Sequence, residues 1–363
     1  MHDTETVSEA RRLMQICNAC RYCEGYCAVF PAMELRRSFT GGELSYLANL
    51  CHDCRGCYYA CQYAPPHEFA LNLPQTLARL RAESYAYYAW PRALAGVFDR
   101  SGTVVSLAAS LSLALVLALA SILQSPEILF AAHTEPGAFY AVISAPVLIV
   151  VASATFGFAL VAMAVGALRF WRDTGGGPAR VRPLLRALWD VLTLRNLGGG
   201  GYGCNDRDES FSQARRYFHQ TLFYGFFLCF ASTCTAAFYE HFLDRLPPYP
   251  FLSWPVVLGT VGGAARMAGA AGLLWVKAAG DSAPTAKSLM GGDYALLLLL
   301  FLSAASGLVL LVLRDSRAMG ILLAFHLGFI LAFFLVMPYS KFVHGVYRSA
   351  ALLRHAAERP ERS

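Results

Sequence analysis

Eight cysteines between Cys17 and Cys61 restrict what this 363-residue chain can fold into more than any other feature. They read CNACRYCEGYC at 17 to 27 and CHDCRGCYYAC at 51 to 61, each half C-x2-C-x2-C-x3-C. Every cysteine of the first group recurs 34 residues later, so the stretch is an internal duplication. Three thiolates separated by two residues wrap one cube of iron and sulfide, while the fourth, set one residue further on, points away and reaches the other cube. The spacing predicts two [4Fe-4S] clusters with crossed fourth ligands. One is held by Cys17, Cys20, Cys23 and Cys61, the other by Cys51, Cys54, Cys57 and Cys27.

Other uses of these thiols fit less well. Structural zinc favours C-x2-C pairs separated by a longer loop, because a tetrahedral ion needs four ligands and a third close thiol crowds it. Disulfides are disfavoured, since residues 1 to 10 show no secretory pattern and the rest of the chain places the segment on the reducing side of a membrane. One detail departs from bacterial ferredoxins, in which proline directly follows the fourth cysteine. Ala28 and Gln62 stand there, and the prolines come four residues on, at Pro31 and Pro65.

Of all residues 56% are hydrophobic and 15% charged, against about a quarter charged in soluble domains. After a polar first hundred residues come six apolar stretches, each long enough to cross roughly 30 Å of hydrocarbon. They lie near Thr103 to Leu123, Tyr140 to Leu168, Thr221 to Leu243, Ser253 to Val276, Tyr294 to Leu313 and Met319 to Pro338. An even number of spans puts both termini on one side. The segments on that side hold 26 Lys and Arg, and the loops on the other hold only Arg245, Arg314 and Arg317. The positive-inside bias therefore predicts cytoplasmic termini. It also accounts for the formal charge of +6 without nucleic acid, because no single basic face is apparent.

Three units follow: a cytoplasmic cluster domain at 1–100, a six-span membrane domain at 101–345 and a basic tail at 346–363. Within the first, Val7 to Ile16, Glu34 to Leu50 and Glu68 to Tyr88 have helical patterns, the last closed by Trp90 and Pro91. The cytoplasmic loop 169–220 carries DTGGGP at 173 to 178 and LGGGGYGCNDRDE at 197 to 209. Glycine runs can cradle phosphate only between a strand and a helix of an α/β unit, and none is predicted, so a flexible docking or quinone-site loop is expected. Cys204, Cys229 and Cys234 read as small core hydrophobes rather than ligands.

Four of the nine histidines flank or enter spans. His219 opens the third and His241 closes it; His326 lies in the sixth and His344 follows it. Imidazoles at such depth are functional candidates. Spans three and six run in opposite directions, so packing them together sets His219 level with His344 and His241 level with His326. The separations along the chain, 22 and 18 residues, correspond to about 33 and 27 Å of helix. Two facing neutral imidazoles can cage a b-type haem, and one or two haems are expected, bound non-covalently because no C-x-x-C-H motif is present.

With these motifs in hand, the chain resembles the tricarballylate-utilization (citrate-utilization) protein B family over essentially its whole length. The doubled cysteine motif carries the likeness, with GGGGYGCN, SQARRYFHQTLFYGF, PYPFLSWPVVLGT and MPYSKFVHGVYR. The resemblance implies an all-α protein of the bacterial inner membrane. A bacterial-ferredoxin-like helical domain with two [4Fe-4S] clusters would precede a six-helix cytochrome b-type bundle, similar to the haem b subunit of respiratory nitrate reductase. It further implies reoxidation of the reduced FAD of a separate dehydrogenase, usually tricarballylate dehydrogenase, with delivery of electrons to quinone. The residues agree independently: no nucleophile or acid–base constellation and no FAD or NAD fingerprint is present, so the chain does no carbon-substrate chemistry of its own. Two other readings remain open at this point, a quinol-oxidising subunit feeding a cytoplasmic reductase and a tricarboxylate transporter. The second leaves eight clustered thiols without a use.

Overall fold

The computed structural model describes residues 3–178 and 180–359; His2 and the last four residues of the basic tail lie outside them. It is helical throughout, with one isolated antiparallel bridge, Cys204 to Ser212, among the described residues. Helix α1, Glu5–Cys20, begins where the Thr4 hydroxyl accepts the Val7 N–H, and it buries Val7, Ala10, Leu13 and Met14 along one face. The short helix α2 is Val29–Glu34. The third, α3, Gly41–Leu50, is capped by Thr40 onto Glu43 N–H, and α4 is the turn Gly56–Tyr59. The fifth, α5, Leu73–Tyr88, starts on an Asn72 cap with Pro74 in its first turn, where a missing N–H costs nothing. These helices bring the two cysteine groups together at one end of the head.

Six helices are long and apolar enough to span a membrane. Their cores are Ser101–Leu123, Ala145–Asp173, Ala214–Leu243, Trp254–Ala278, Met290–Leu313 and Met319–Val336. Two starts differ from expectation. Span two begins at Ala145, with Pro146 setting a new first turn, and Tyr140 belongs to a separate short helix, Ala138–Val142. Span three begins seven residues before Thr221, because the polar Ala214 to Gln220 stretch continues the helix into the head. His219 is therefore inside that helix rather than at its mouth.

Spans three and four pack with their backbones nearly touching, which small residues permit. A Cβ on Gly225 would lie 2.6 Å from Arg266 N, and one on Gly262 would lie 2.7 Å from Cys229 N. At the head-side end, Asp293 of span five receives Lys277 at 2.5 Å and Lys341 at 2.7 Å, pinning three segments at one carboxylate.

The head is docked on this bundle rather than tethered to it. The C-terminal helix His344–Glu358 buries Tyr347, Ala351 and Leu352, and the Tyr347 ring stacks on Tyr85 of α5 with centroids 5.4 Å apart. Phe170 of span two meets the same tyrosine edge-on. Arg36 and Arg354 share Glu43 and Glu358 and flank the Tyr46 ring, a buried network joining α3 to the C-terminal helix. Tyr88 donates to Asp173 at 2.5 Å, and Arg169 donates to Ala89 O at 2.9 Å.

Candidate metal centres

Cys17, Cys20, Cys23 and Cys61 line one pocket of the head together with Cys57, Tyr22 and Gln62. Cys27 has Cys54 and Cys51 as thiol neighbours, and Cys57 has Cys54, Cys27 and Cys51, with Cys23 of the first cysteine group contributing least. Among the described residues no three side chains close on a point as ligands of one ion would. Thiols spread round a common space suit a polynuclear group, in which each sulfur meets a different iron.

Burial pushes the Cys17 and Cys23 thiols up to about 12 and Cys54 to about 11. Bare, they stay protonated at neutral pH. The thiolate is the ligating form, so iron must displace the protons, and assembly in these pockets is coupled to proton release.

The glycine-rich loop, expected to be flexible, instead folds over the inner quartet. Leu197, Cys204 and Cys54 form a small apolar cluster, and Asn205 N–H donates to Cys54 O at 2.9 Å. Gly200 has φ +77°, and a Cβ there would meet Tyr26 O at 2.7 Å, so backbone passes where a side chain cannot. Arg55, in the inner cysteine group, donates to the carbonyls of Asp206 and Asp281 and so closes the lid from below. Cys54 is the buried thiol of the inner quartet, and the other seven cysteines of the two groups are part-buried.

The rings of His219 and His344 have centroids 5.9 Å apart and planes at 90°. Two imidazoles bound on opposite sides of one metal, with bonds of about 2 Å, have centroids about 6 Å apart. The His344 Nδ1 contacts Lys341 O at 2.5 Å, which orients the ring and leaves Nε2 for a metal. The His219 Nδ1 is buried with no hydrogen-bond partner. Burial and the neighbouring Arg348 hold His344 well below the usual histidine range, in the neutral, ligating form. These residues fit a bis-imidazole group.

Sequence reasoning missed what holds these parts in register. Arg215, one turn before His219, donates to Asp53 O and pairs with Asp206 at 2.7 Å. Arg348, one turn after His344, donates to Cys51 O at 2.9 Å and to Asn49 O. Arg81 joins it on Cys51 O. Each histidine is thus a helical turn from an arginine gripping the same cysteine loop. The only signal in the sequence was arginine at i−4 and i+4 of the two histidines.

The other histidine pair is not assembled. His241 is exposed in the last turn of span three, beside Glu240, whose carboxylate accepts from Tyr140 at 2.5 Å. His326 bonds instead to Ser306 of span five at 3.1 Å. Cys204 is buried with its thiol on Leu197 O, as a core residue, whereas Cys229 is part-buried and Cys234 is exposed on span three, against the expectation of core positions.

Comparison with known proteins adds to this geometry. Residues 97–363 match the family model described as Citrate utilization protein B, and residues 10–87 match that of the Citrate utilization protein B Fer4-like domain. The chain is also similar to the Citrate utilization protein B of Escherichia coli, 45% identical over 362 residues, covering 98% of this chain and 93% of that protein. No solved structure matches.

Proposed function

The chain belongs to the citrate utilization protein B family, and from that premise we propose that it carries electrons from the reduced FAD of a partner dehydrogenase to membrane quinone. The partner is of tricarballylate dehydrogenase type, and the head lies on the cytoplasmic side, in keeping with the excess of Lys and Arg in the segments adjoining it. Held in the two quartets and between His219 and His344, iron–sulfur clusters and a b-type haem would supply one-electron carriage between a two-electron flavin and the bilayer.

The observation that carries this reading is the double grip of Arg215 and Arg348 on the Asp53 and Cys51 carbonyls. It ties both histidine-bearing helices to the inner cysteine loop, which supports a series running from the outer quartet through the inner quartet to the pair. Each part of the chain then has a task. The exposed rim with Tyr22 and Gln62 meets the flavoprotein. The glycine loop covers Cys54 of the inner quartet, and Phe226, Phe333 and Phe342 pack together with centroids 5.3 to 5.9 Å apart.

The test uses full-length protein purified anaerobically. Iron and acid-labile sulfide, a dithionite-reducible b-type α band and quinone-dependent oxidation of the reduced dehydrogenase are expected together. Iron-free, colourless protein overturns the reading.

A further inference from the structure

Arg266 stands near the middle of span four, 5% exposed. One guanidinium nitrogen donates to Ser303 of span five. The group lies 5.8 Å from the ring centroids of both Phe226 and Phe333. The Cys229 thiol of span three is a second side-chain partner, no carboxylate is among its contacts in the described residues, and its Nε is buried without a hydrogen-bond partner. A cation at this depth is costly unless something answers its charge, and such residues mark functional sites. Beside it is the Ser306–His326 pair, whose imidazole is half-buried. A Cβ on Gly307 would lie 2.9 Å from that imidazole, so glycine lets the ring lie against span five.

Apolar walls with a few convergent polar atoms make a binding site for a small, largely apolar molecule. The walls here are aromatic rings and the free group is one cationic N–H donor. The complementary ligand is flat and lipid-soluble, with an edge oxygen that becomes anionic when the ring takes an electron. That is a quinone headgroup. A carboxylate such as a haem propionate offers the same oxygen chemistry, but a pair of them would bring two full charges to a place with one unpaired donor. The backbone of Arg266 abuts Gly225, six residues past His219, or about 9 Å along the helix.

We propose that Arg266, with Ser303 and the Ser306–His326 pair, forms the site at which the quinone ring docks. This rests on the function proposed above and gives His326 a different role from haem ligation. Reduction takes two electrons, delivered singly from the flavoprotein through the chain, and two protons from water, converting both carbonyls to hydroxyls. Arg266 acts between the two electrons. Its N–H binds the neutral carbonyl weakly and the one-electron-reduced anion strongly, which is where a fixed cation helps most.

The experiment uses the full chain in lipid nanodiscs with decylubiquinone and a short-chain menaquinone as probes. Arg266→Gln should weaken equilibrium binding of whichever quinone the wild type takes at least tenfold, with haem and iron content unchanged, and Arg266→Lys should recover part of the loss. An azido-ubiquinone should label the wild-type peptides containing Phe226, Arg266 or His326, in competition with free quinone, so the test survives if the variants fail to insert. Undiminished binding by Arg266→Gln, or labelling elsewhere, overturns the proposal. Loss of haem from Arg266→Gln also overturns it and assigns the arginine to a propionate. If the wild type binds neither quinone, the parent reading fails instead.

Discussion

The imidazoles of His219 and His344, 125 positions apart in the chain, stand perpendicular with centroids 5.9 Å apart. Each ring lies one helical turn from an arginine that bonds to the same short cysteine loop.

Replacing either ring removes half of the pair and nothing from the thiols. His219→Ala or His344→Ala should abolish the b-type α band and leave iron and sulfide at wild-type levels, as read by pyridine haemochrome and cluster quantification. Full haem in either variant would refute the pairing.

Crossed quartets make a sharper demand. Cys61→Ser, though in the second sequence group, should damage the cluster of Cys17, Cys20 and Cys23, and Cys27→Ser that of Cys51, Cys54 and Cys57. In electron paramagnetic resonance, Cys61→Ser and Cys17→Ser should perturb one signal, and Cys27→Ser and Cys57→Ser the other. Grouping by sequence instead would show the quartets to be wrong.

Arg348→Met removes one of the guanidiniums on Cys51 O and loosens the tie to His344. Rapid reduction of the cluster head followed by stopped-flow observation of the haem band should show transfer slowed about tenfold, equivalent to about 1.4 kcal/mol. Haem content should be retained, and an unchanged rate would remove the arginine from the register argument.

Gly200→Val puts a β-branched residue at φ +77° and a methyl-bearing carbon into the Tyr26 carbonyl. Strain of about 1–3 kcal/mol is expected, relieved by lifting the loop off Cys54. The inner cluster should then bleach in air faster than in wild type, while the outer cluster bleaches at its usual rate.

His355, 3% exposed in the C-terminal helix, is held neutral by burial, with Arg359 and Arg36 adding to the effect, at about 4 instead of 6.5. The folded-state value is lowered, so between these two values the unfolded chain binds a proton that the folded one refuses. Stability is complete above pH 6.5 and declines as pH falls toward 4, by up to about 3 kcal/mol. Thermal unfolding in detergent from pH 7 to 4.5 should show the slope, and His355→Gln should flatten it.

The duplicated spacing predicts the two quartets and their crossing, because a three-residue step along a chain dictates which thiols can reach one cube. Apolar length determined the six spans, and counting residues between histidines was enough to suggest that His219 meets His344. These are local properties, or products of local lengths, and the chain states them directly. The same arithmetic paired His241 with His326, and there it failed. Equal depth is not contact, and the rotation of a helix about its axis, set by packing against neighbours such as Ser306, decides which way a side chain faces. The glycine loop is another case: its freedom to approach Tyr26 O is visible in composition, but its target, the inner cysteine loop, is chosen by the docking of head on bundle. Arg266 is the last. Its place in an apolar span was plain from the sequence, whereas the lack of a carboxylate beside it depended on which residues spans three, five and six brought there, and only the tertiary structure could decide that.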